Sequence, residues 1–461
     1  MTRLLRVPLS ETLRAQGAIA WVQRPLRHAV LLLAILFFVV FGFLFMRSEQ
    51  VGDWQSVYVR AAHRLQIREP IHRPGDNYTY PPAMAMLSVP LANLPPLPSL
   101  FGWYLVNIMA TTVAFICAWR LTGGPSLIGL SGRWWGILGI GVTLAGRFFV
   151  SPLENRQFDM VIAALLFAGC CQLWRGHDLT GAAWLGASAA MKGTPLLFAP
   201  YLLWRGKLKA ACLLIVVAIF LNLLPDLLWP QTRGHLYLAD WYAYSLRQVV
   251  RSTPGQWFSH VLLNQSLAGL FNRFIRFGLP MSSEQLRVEM VSPPEGRSVI
   301  LRVLVFGSGF LLSAITAWWF RQPWTPAATQ DATAAGPIPW ERLQTGVESA
   351  AVVCLMLLLS PMSSKAHYVV LLLPSFILAR LFVEQRPPWM SVLLVALLIT
   401  GPLTAKGLIG KDAGDLTLAW GMPTCFVLLS LVGTWMALRT VRRPSHDSCQ
   451  ERPAPDPSQS V

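Results

Sequence analysis

The sequence predicts an all-α, polytopic integral membrane protein. Only 13% of its 461 residues are charged, about half the share of an ordinary soluble domain. The mean hydropathy is +0.48. Apolar runs of roughly 15 to 23 residues recur along nearly the whole length, which is the length that crosses a hydrocarbon core about 30 Å thick. These three observations exclude a soluble enzyme.

The apolar runs predict about twelve membrane segments. Their predicted bounds are 29–46, 101–119, 134–150, 158–174, 179–191, 195–204, 210–228, 298–320, 347–360, 368–383, 390–405 and 416–438. The first run follows basic residues but lacks a small-residue cleavage site, so we interpret it as a retained helix rather than a signal peptide.

Charge in the short loops predicts the orientation. Arg residues precede the first span, which predicts a cytoplasmic N-terminal segment, 1–28. Two long loops, about 47–100 and 229–297, then fall on the outer face. A Pro- and Ser-rich disordered tail, 439–461, returns to the cytoplasm.

One predicted helix pair is interrupted. The stretch Met191–Pro195 contains Lys192, Gly193 and Thr194 and divides an apolar run that is too short for two complete spans. We expect a re-entrant hairpin or a broken helix, because irregular backbone at membrane depth must line a cavity or be packed by protein.

Charge and cysteine content limit the partners. The net charge is 38 − 22 = +16, and the basic residues lie at helix ends, which suits membrane lipid headgroups rather than nucleic acid. The seven cysteines lie mostly in apolar segments without a CxxC pair, so we expect neither a disulfide framework nor a metal site.

The first outer loop opens with Gly52-Asp53-Trp54. Asp53 is either a solvated residue that caps the next helix or a general base at the membrane surface. Further along, Tyr80-Pro81-Pro82 predicts an extended turn followed by a helix start. On its own, Tyr80 is typical of an interfacial aromatic anchor.

Polar groups also gather where the fourth span begins, at Arg156-Gln157-Phe158-Asp159. An ionisable residue such as Asp159 inside a span indicates a functional site. The alternative is an Arg156–Asp159 pair that closes the helix end; the sequence favours neither.

Four more residues complete the candidate set. Lys192 lies at the helix break, where an ammonium and free backbone N–H groups favour phosphate binding over snorkelling to the surface. His367, in the outer turn that begins at Ser360, is either a loop residue satisfied by the backbone or a donor to a phosphate or sugar oxygen. Asn264-Gln265 lies in the second long loop.

The order of these motifs resembles glycosyltransferase family 87, over roughly residues 45 to 385. The motifs that carry the resemblance are Gly52-Asp53-Trp54, Tyr80-Pro81-Pro82, Pro90-Leu91-Ala92, Asn155-Arg156-Gln157, Lys192-Gly193-Thr194-Pro195, Asn264-Gln265-Ser266-Leu267 and Ser360-Pro361 to His367-Tyr368. Members belong to the GT-C class of multi-span enzymes. They transfer a sugar, mannose in the best-known cases, from a polyprenyl-phosphate donor to an acceptor on the outer face.

The resemblance implies a role for each candidate residue. Asp53 matches the catalytic base, and Lys192 and His367 match positions near the donor phosphate. Arg156 is expected to offset the charge of the departing phosphate with them. We expect the remaining candidates to contact the substrate: Tyr80, Gln157, Asp159, Asn264 and Gln265. The family tends to have Gly-Gln followed by Asn where this chain has Arg156 to Asp159. We expect neither a metal nor a cofactor, since the polyprenyl-phosphate sugar is a substrate.

The resulting prediction is an inverting hexosyltransferase of the cell membrane, in a bacterial inner membrane, with its active site on the outer face. Its partners would be membrane lipids, the polyprenyl-phosphate sugar donor and a glycolipid or glycan acceptor. Two alternatives remain open. One is a polyprenyl-linked glycan ligase, and the other is a transporter or flippase with a similar multi-span body.

Overall fold

The computed structural model describes residues 32, 35–43, 45–47, 52–74, 78–127, 130, 132–247, 251, 254–255, 262–278, 298–321 and 338–441. The predicted N-terminal segment 1–28 and all but the first residues of the predicted tail 439–461 lie outside these ranges.

Every regular element in the described residues is helical. The α-helices are Ile35–Arg47, Arg60–Gln66, Pro82–Ala92, Pro96–Leu121, Gly132–Glu154, Asp159–Trp174, Asp178–Met191, Phe198–Trp204, Leu208–Leu228, Tyr237–Trp241, Leu267–Phe277, Ser298–Trp319, Gln344–Leu359, Leu372–Glu384, Pro388–Thr400, Lys406–Ile409, Lys411–Ala419 and Met422–Val441. Shorter 3₁₀ segments are Thr194–Leu197, Trp340–Arg342, Lys365–Leu371 and Pro402–Thr404, and π-helical segments are Trp54–Val59 and Tyr242–Leu246.

Six helices within the described ranges are long and apolar enough to cross a membrane. They are Pro96–Leu121, Gly132–Glu154, Leu208–Leu228, Val299–Trp319, Lys365–Glu384 and Met422–Val441. Shorter apolar helices, such as Asp159–Trp174 and Gln344–Leu359, coincide with other predicted segments. The all-α membrane class is therefore confirmed, whereas the count of about twelve spans stays a prediction.

The helices differ in how deeply they are buried. In an 18-residue stretch of Lys365–Glu384, 83% of the residues are buried, compared with 17% in a stretch of Val299–Trp319. The exposed apolar faces of such outer helices suit contact with lipid tails, which are as apolar as leucine.

A tight antiparallel pair of helices positions the candidate site. Asp159–Trp174 and Asp178–Met191 are joined by a short turn, and Gly169 and Gly181 face each other across them. A Cβ atom at Gly169 would lie 2.9 Å from the Gly181 carbonyl oxygen, so these helices approach closely in the way that small residues allow. The first residue of one helix therefore lies beside the last residue of the other.

The predicted helix break is present. The helix Asp178–Met191 ends, Lys192 adopts an extended conformation with φ −156° and ψ 118°, and a 3₁₀ turn begins at Thr194. The chain then continues as Phe198–Trp204.

The long segment predicted as the first outer loop is largely helical. The helix Pro82–Ala92 begins directly after Pro81, whose ψ of 158° is extended, so the helix start predicted from Tyr-Pro-Pro is confirmed. Upstream of it, Trp54 stacks on Trp103 with ring centroids 4.6 Å apart. Trp54 Nε1 also donates to Ser99 Oγ at 3.1 Å, so this segment is packed onto the bundle.

Candidate active site

Asp53 precedes a helix without capping it. The residue stands directly before the π-helical segment Trp54–Val59, but its side chain makes no capping hydrogen bond. Instead Gln157 Nε2 donates to Asp53 Oδ2 at 2.6 Å, and the Asp53 backbone N–H donates to the Asn155 carbonyl at 3.0 Å. Burial raises the pKa of the Asp53 carboxyl above its usual range, and the Gln157 hydrogen bond partly opposes this rise.

A strained turn holds Gln157 in place. Arg156 has a φ of +56°, in the left-handed region, which is uncommon for a residue with a side chain. Its carbonyl accepts a hydrogen bond from Trp103 Nε1 at 3.1 Å. Its guanidinium donates to the Phe45 carbonyl at 2.8 Å and to Gln55 Oε1 at 3.1 Å. Arg156 therefore ties the turn to the first helix and to the helix that follows Asp53.

Asp159 forms its ion pair with Lys192. The Lys192 Nζ lies 2.7 Å from Asp159 Oδ1, and Asp159 is only 3% exposed. The antiparallel packing described above brings them together, since Asp159 begins one helix and Lys192 directly follows the other. The ion-pair partner of Asp159 in the described residues is therefore Lys192 and not Arg156, the partner in the helix-closing alternative.

His367 lies in the 3₁₀ segment that begins at Lys365. Its Nδ1 accepts a hydrogen bond from the Ser364 backbone N–H at 3.2 Å, as part of a capping box. This bond leaves Nε2 to carry the proton of the neutral ring, so Nε2 is a hydrogen-bond donor.

Asp159, Lys192 and His367 line one small cavity, which we call the Asp159 cavity. The complete lining is Asp159, Ile162, Lys192, Thr194, Met356, Leu357, Ser363, His367 and Val370. Asp53 lies beside this cavity, close enough to interact electrostatically with both Asp159 and Lys192. Four sequence-predicted residues, Asp53 with Gln157 and Asp159 with Lys192, therefore form two adjoining pairs.

Tyr80 lies close to both carboxylates of this site. It interacts electrostatically with Asp53 and Asp159, and its ring packs edge-on against Tyr58 with centroids 5.2 Å apart. Burial raises the pKa of both phenols, so both hydroxyls stay protonated at neutral pH and can donate hydrogen bonds.

Asn264 and Gln265 instead anchor their loop to the turn Ser360–Ser364. Asn264 Oδ1 accepts hydrogen bonds from the Ser266 N–H, the Ser266 hydroxyl and the Ser363 N–H, and its Nδ2 donates to the Pro361 carbonyl. Gln265 is fully buried, and its Nε2 donates to the carbonyls of Leu262 and Leu418. These contacts hold the turn that carries Ser363, which lines the Asp159 cavity.

The site contains residues that sequence reasoning missed. Tyr58 packs against Tyr80, and its position one helical turn beyond Trp54 was the available signal. Thr194 lines the cavity, and its proximity to Lys192 in the chain could have identified it. Among the described residues, no three His, Cys, Asp or Glu side chains gather as a metal ion would require.

Comparison with known proteins gives the family. The sequence profile of glycosyltransferase family 87 matches residues 78–336, which is more than half of the chain. The match includes Tyr80, Gln157, Asp159 and Lys192, whereas Asp53 and His367 lie outside it. No curated protein and no solved structure matches the chain. The family match and the apolar helices together establish that the chain belongs to glycosyltransferase family 87 and is a membrane glycosyltransferase.

Proposed function

We propose that this protein transfers a hexose, mannose by family resemblance, from a polyprenyl-phosphate donor to an acceptor hydroxyl. The acceptor is a glycolipid or glycan on the outer face of a bacterial inner membrane. Asp53 is the general base, and the configuration at the anomeric carbon is inverted.

The observation that carries this proposal is the adjacency of two pairs with different chemistry. The Asp53–Gln157 pair presents a carboxylate whose pKa burial raises, which suits a base that must take a proton near neutral pH. The Asp159–Lys192 pair beside it supplies an ammonium at a cavity that His367 also lines. An acid-base group and an anion-binding group on adjoining sides are what a displacement reaction needs.

In the proposed reaction the acceptor oxygen attacks the anomeric carbon of the donor sugar. The hydroxyl proton moves to Asp53, through Oδ1, because Oδ2 already accepts the Gln157 hydrogen bond. The bond between the anomeric carbon and the phosphate oxygen breaks, and its electron pair stays on the departing polyprenyl phosphate. A β-linked donor therefore gives an α-linked product.

Lys192 and His367 stabilise the departing phosphate in this scheme. The Lys192 ammonium has three donor hydrogens, of which Asp159 accepts one, so others can reach a phosphate oxygen. His367 Nε2–H supplies a neutral donor. Arg156, which is also expected near the phosphate, fixes the turn that carries Gln157 through its contacts with Phe45 and Gln55.

The test is sugar transfer in a defined system. Purified protein in vesicles receives polyprenyl-phosphate-[14C]mannose and a lipid extract from the host membrane as acceptor, and label is followed into the lipid and polymer fractions. Asp53→Asn should lower the rate by about 10² to 10⁴, the usual contribution of a general base. The matched control is Asp178→Asn, which alters an Asp–Lys pair at the opposite end of the helix that precedes Lys192.

The outcomes distinguish the proposed reaction from its alternatives. Transfer by the wild type and by Asp178→Asn, with none by a stably folded Asp53→Asn protein, supports the donor class and the base together. Normal transfer by Asp53→Asn removes Asp53 as the base. Transfer only from a polyprenyl-pyrophosphate-linked glycan would replace the proposal with the ligase reaction.

A further inference from the structure

One oxygen of the Asp159 carboxylate has no protein partner in the described part of the chain. Oδ1 binds the Lys192 ammonium at 2.7 Å. Oδ2 is buried and accepts no hydrogen bond from any other described residue. An unsatisfied buried acceptor costs about 1–3 kcal/mol, and more when it carries charge. Asp159 lines the cavity beside Asp53, so a ligand could supply the missing donor.

The charge of the site indicates which kind of donor fits. Lys192 already offsets the negative charge of Asp159, and Asp53 adds a second carboxylate nearby. A phosphate oxygen would be repelled by Oδ2, and the Asp159 charge itself is already offset by Lys192. A neutral hydroxyl satisfies a carboxylate oxygen with a charge-assisted hydrogen bond.

The shape of the cavity agrees with a hydroxyl. The cavity has room for about one water molecule, so it accepts a single hydroxyl group. Four of its lining side chains, Ile162, Met356, Leu357 and Val370, are apolar and offer no competing hydrogen bond. Lys192 uses one of its three donor hydrogens on Oδ1, so it can also contact a different group of the same ligand.

We propose that Asp159 Oδ2 accepts a hydrogen bond from one ring hydroxyl of the sugar that is transferred. This inference rests on the proposed function. Asp159 thereby distinguishes the transferred sugar from other sugars, whereas Lys192 binds the phosphate. The hydroxyl at Asp159 Oδ2 and the phosphate at the Lys192 ammonium are thereby held by neighbouring groups, which orients the ring for attack beside Asp53.

The test compares two ligands that differ only in the sugar. Binding of polyprenyl-phosphate mannose and of sugar-free polyprenyl phosphate is measured on the purified full-length protein and on Asp159→Asn. Asn can still accept from Lys192 but carries one carbonyl oxygen in place of two. We expect Asp159→Asn to bind the mannose donor about tenfold more weakly and to bind sugar-free polyprenyl phosphate within about twofold of the wild type. Lys192→Met should weaken the binding of both ligands.

Equal weakening of both ligands by Asp159→Asn would overturn the inference, because Asp159 would then act only through Lys192. A second arm needs no variant. A series of donors, each lacking one ring hydroxyl, is bound to the wild type, and one of them should lose about tenfold in affinity. That donor and its parent should bind Asp159→Asn equally. If every deoxy donor binds the wild type as well as its parent, Oδ2 contacts water rather than sugar and the inference fails.

Failure of the proposed function has a different signature. In that case the wild type binds neither ligand and transfers no label from the mannose donor. If the wild type binds both ligands and Asp159→Asn weakens the binding of both equally, only the role proposed for Asp159 is contradicted.

Discussion

The side-chain amide of Gln157 donates a 2.6 Å hydrogen bond to Oδ2 of Asp53 and thereby joins the turn 155–158 to the start of the helix that follows Asp53. The backbone bond from the Asp53 N–H to the Asn155 carbonyl makes the same connection a second time. Because the amide binds the ionised carboxylate, it orients the proposed base and lowers its pKa against the effect of burial.

Removing that amide should move the pH dependence of the reaction. In Gln157→Leu the ionised form of Asp53 loses a hydrogen bond, so its pKa rises further. A base must be deprotonated to act, so the acidic limb of kcat/KM should move upward by about one pH unit. The measurement is the rate of sugar transfer between pH 5 and 9. A limb that stays at the wild-type pH would mean that Asp53 does not control the reaction.

Gly52 should tolerate no side chain. A Cβ atom at Gly52 would lie 2.6 Å from Arg156 Cδ and 3.0 Å from Arg156 Cβ, so Gly52→Ala must displace the turn that carries Gln157. We expect transfer to fall at least about tenfold, since small misplacements of catalytic groups have large effects. Gly139→Ala is the control, because a Cβ atom there meets nothing within 4 Å. Equal activity in the two variants would show that the turn does not position the base.

The sequence predicted the position of most helices but not the contacts at their ends. The apolar run 101–119 is found within the helix Pro96–Leu121, and Tyr-Pro-Pro marks the start of the helix Pro82–Ala92. These features are local, since hydrophobic length and proline geometry are read from neighbouring residues. The interruption after Met191 was predicted for the same reason.

The ion pair of Asp159 is a contact that neighbouring residues in the sequence do not predict. The sequence offered Arg156, one helical turn away, as the structural partner of Asp159. The structure pairs Asp159 with Lys192, 33 positions along the chain. That partner depends on how closely Gly169 and Gly181 pack, which no local spacing shows. The contacts of Asn264 likewise depend on a turn 97 positions away.

We expect Asn264 to stabilise the folded protein. Its Oδ1 accepts three hydrogen bonds, and Asn264→Ala leaves the buried N–H groups of Ser266 and Ser363 without their acceptor. We expect a loss of about 2–4 kcal/mol in the free energy of unfolding. Thermal unfolding in detergent measures it, with the exposed Asn93→Ala as control. A normal melting temperature together with a raised donor KM would instead support the predicted contact of Asn264 with substrate.

The buried ion pair at the opposite end of the bundle should contribute to stability without contributing to the reaction. Arg205 Nε donates to Glu348 Oε2 at 2.9 Å, and Tyr201 and Gln344 complete the hydrogen bonds of this carboxylate, which is 1% exposed. Arg205→Met leaves a buried charge without its cation, which typically costs about 3–5 kcal/mol. Replacing both partners, in Arg205→Met with Glu348→Gln, removes that uncompensated charge. The double variant should therefore melt at a higher temperature than Arg205→Met alone.

The reaction itself should be unaffected. At a temperature where the wild type and both variants are folded, their rates of sugar transfer should agree within about twofold, because this pair lies at the far end of the helices that carry Asp159 and Lys192. A double variant that is less stable than Arg205→Met would show that the remaining Glu348 charge is not what destabilises the single variant.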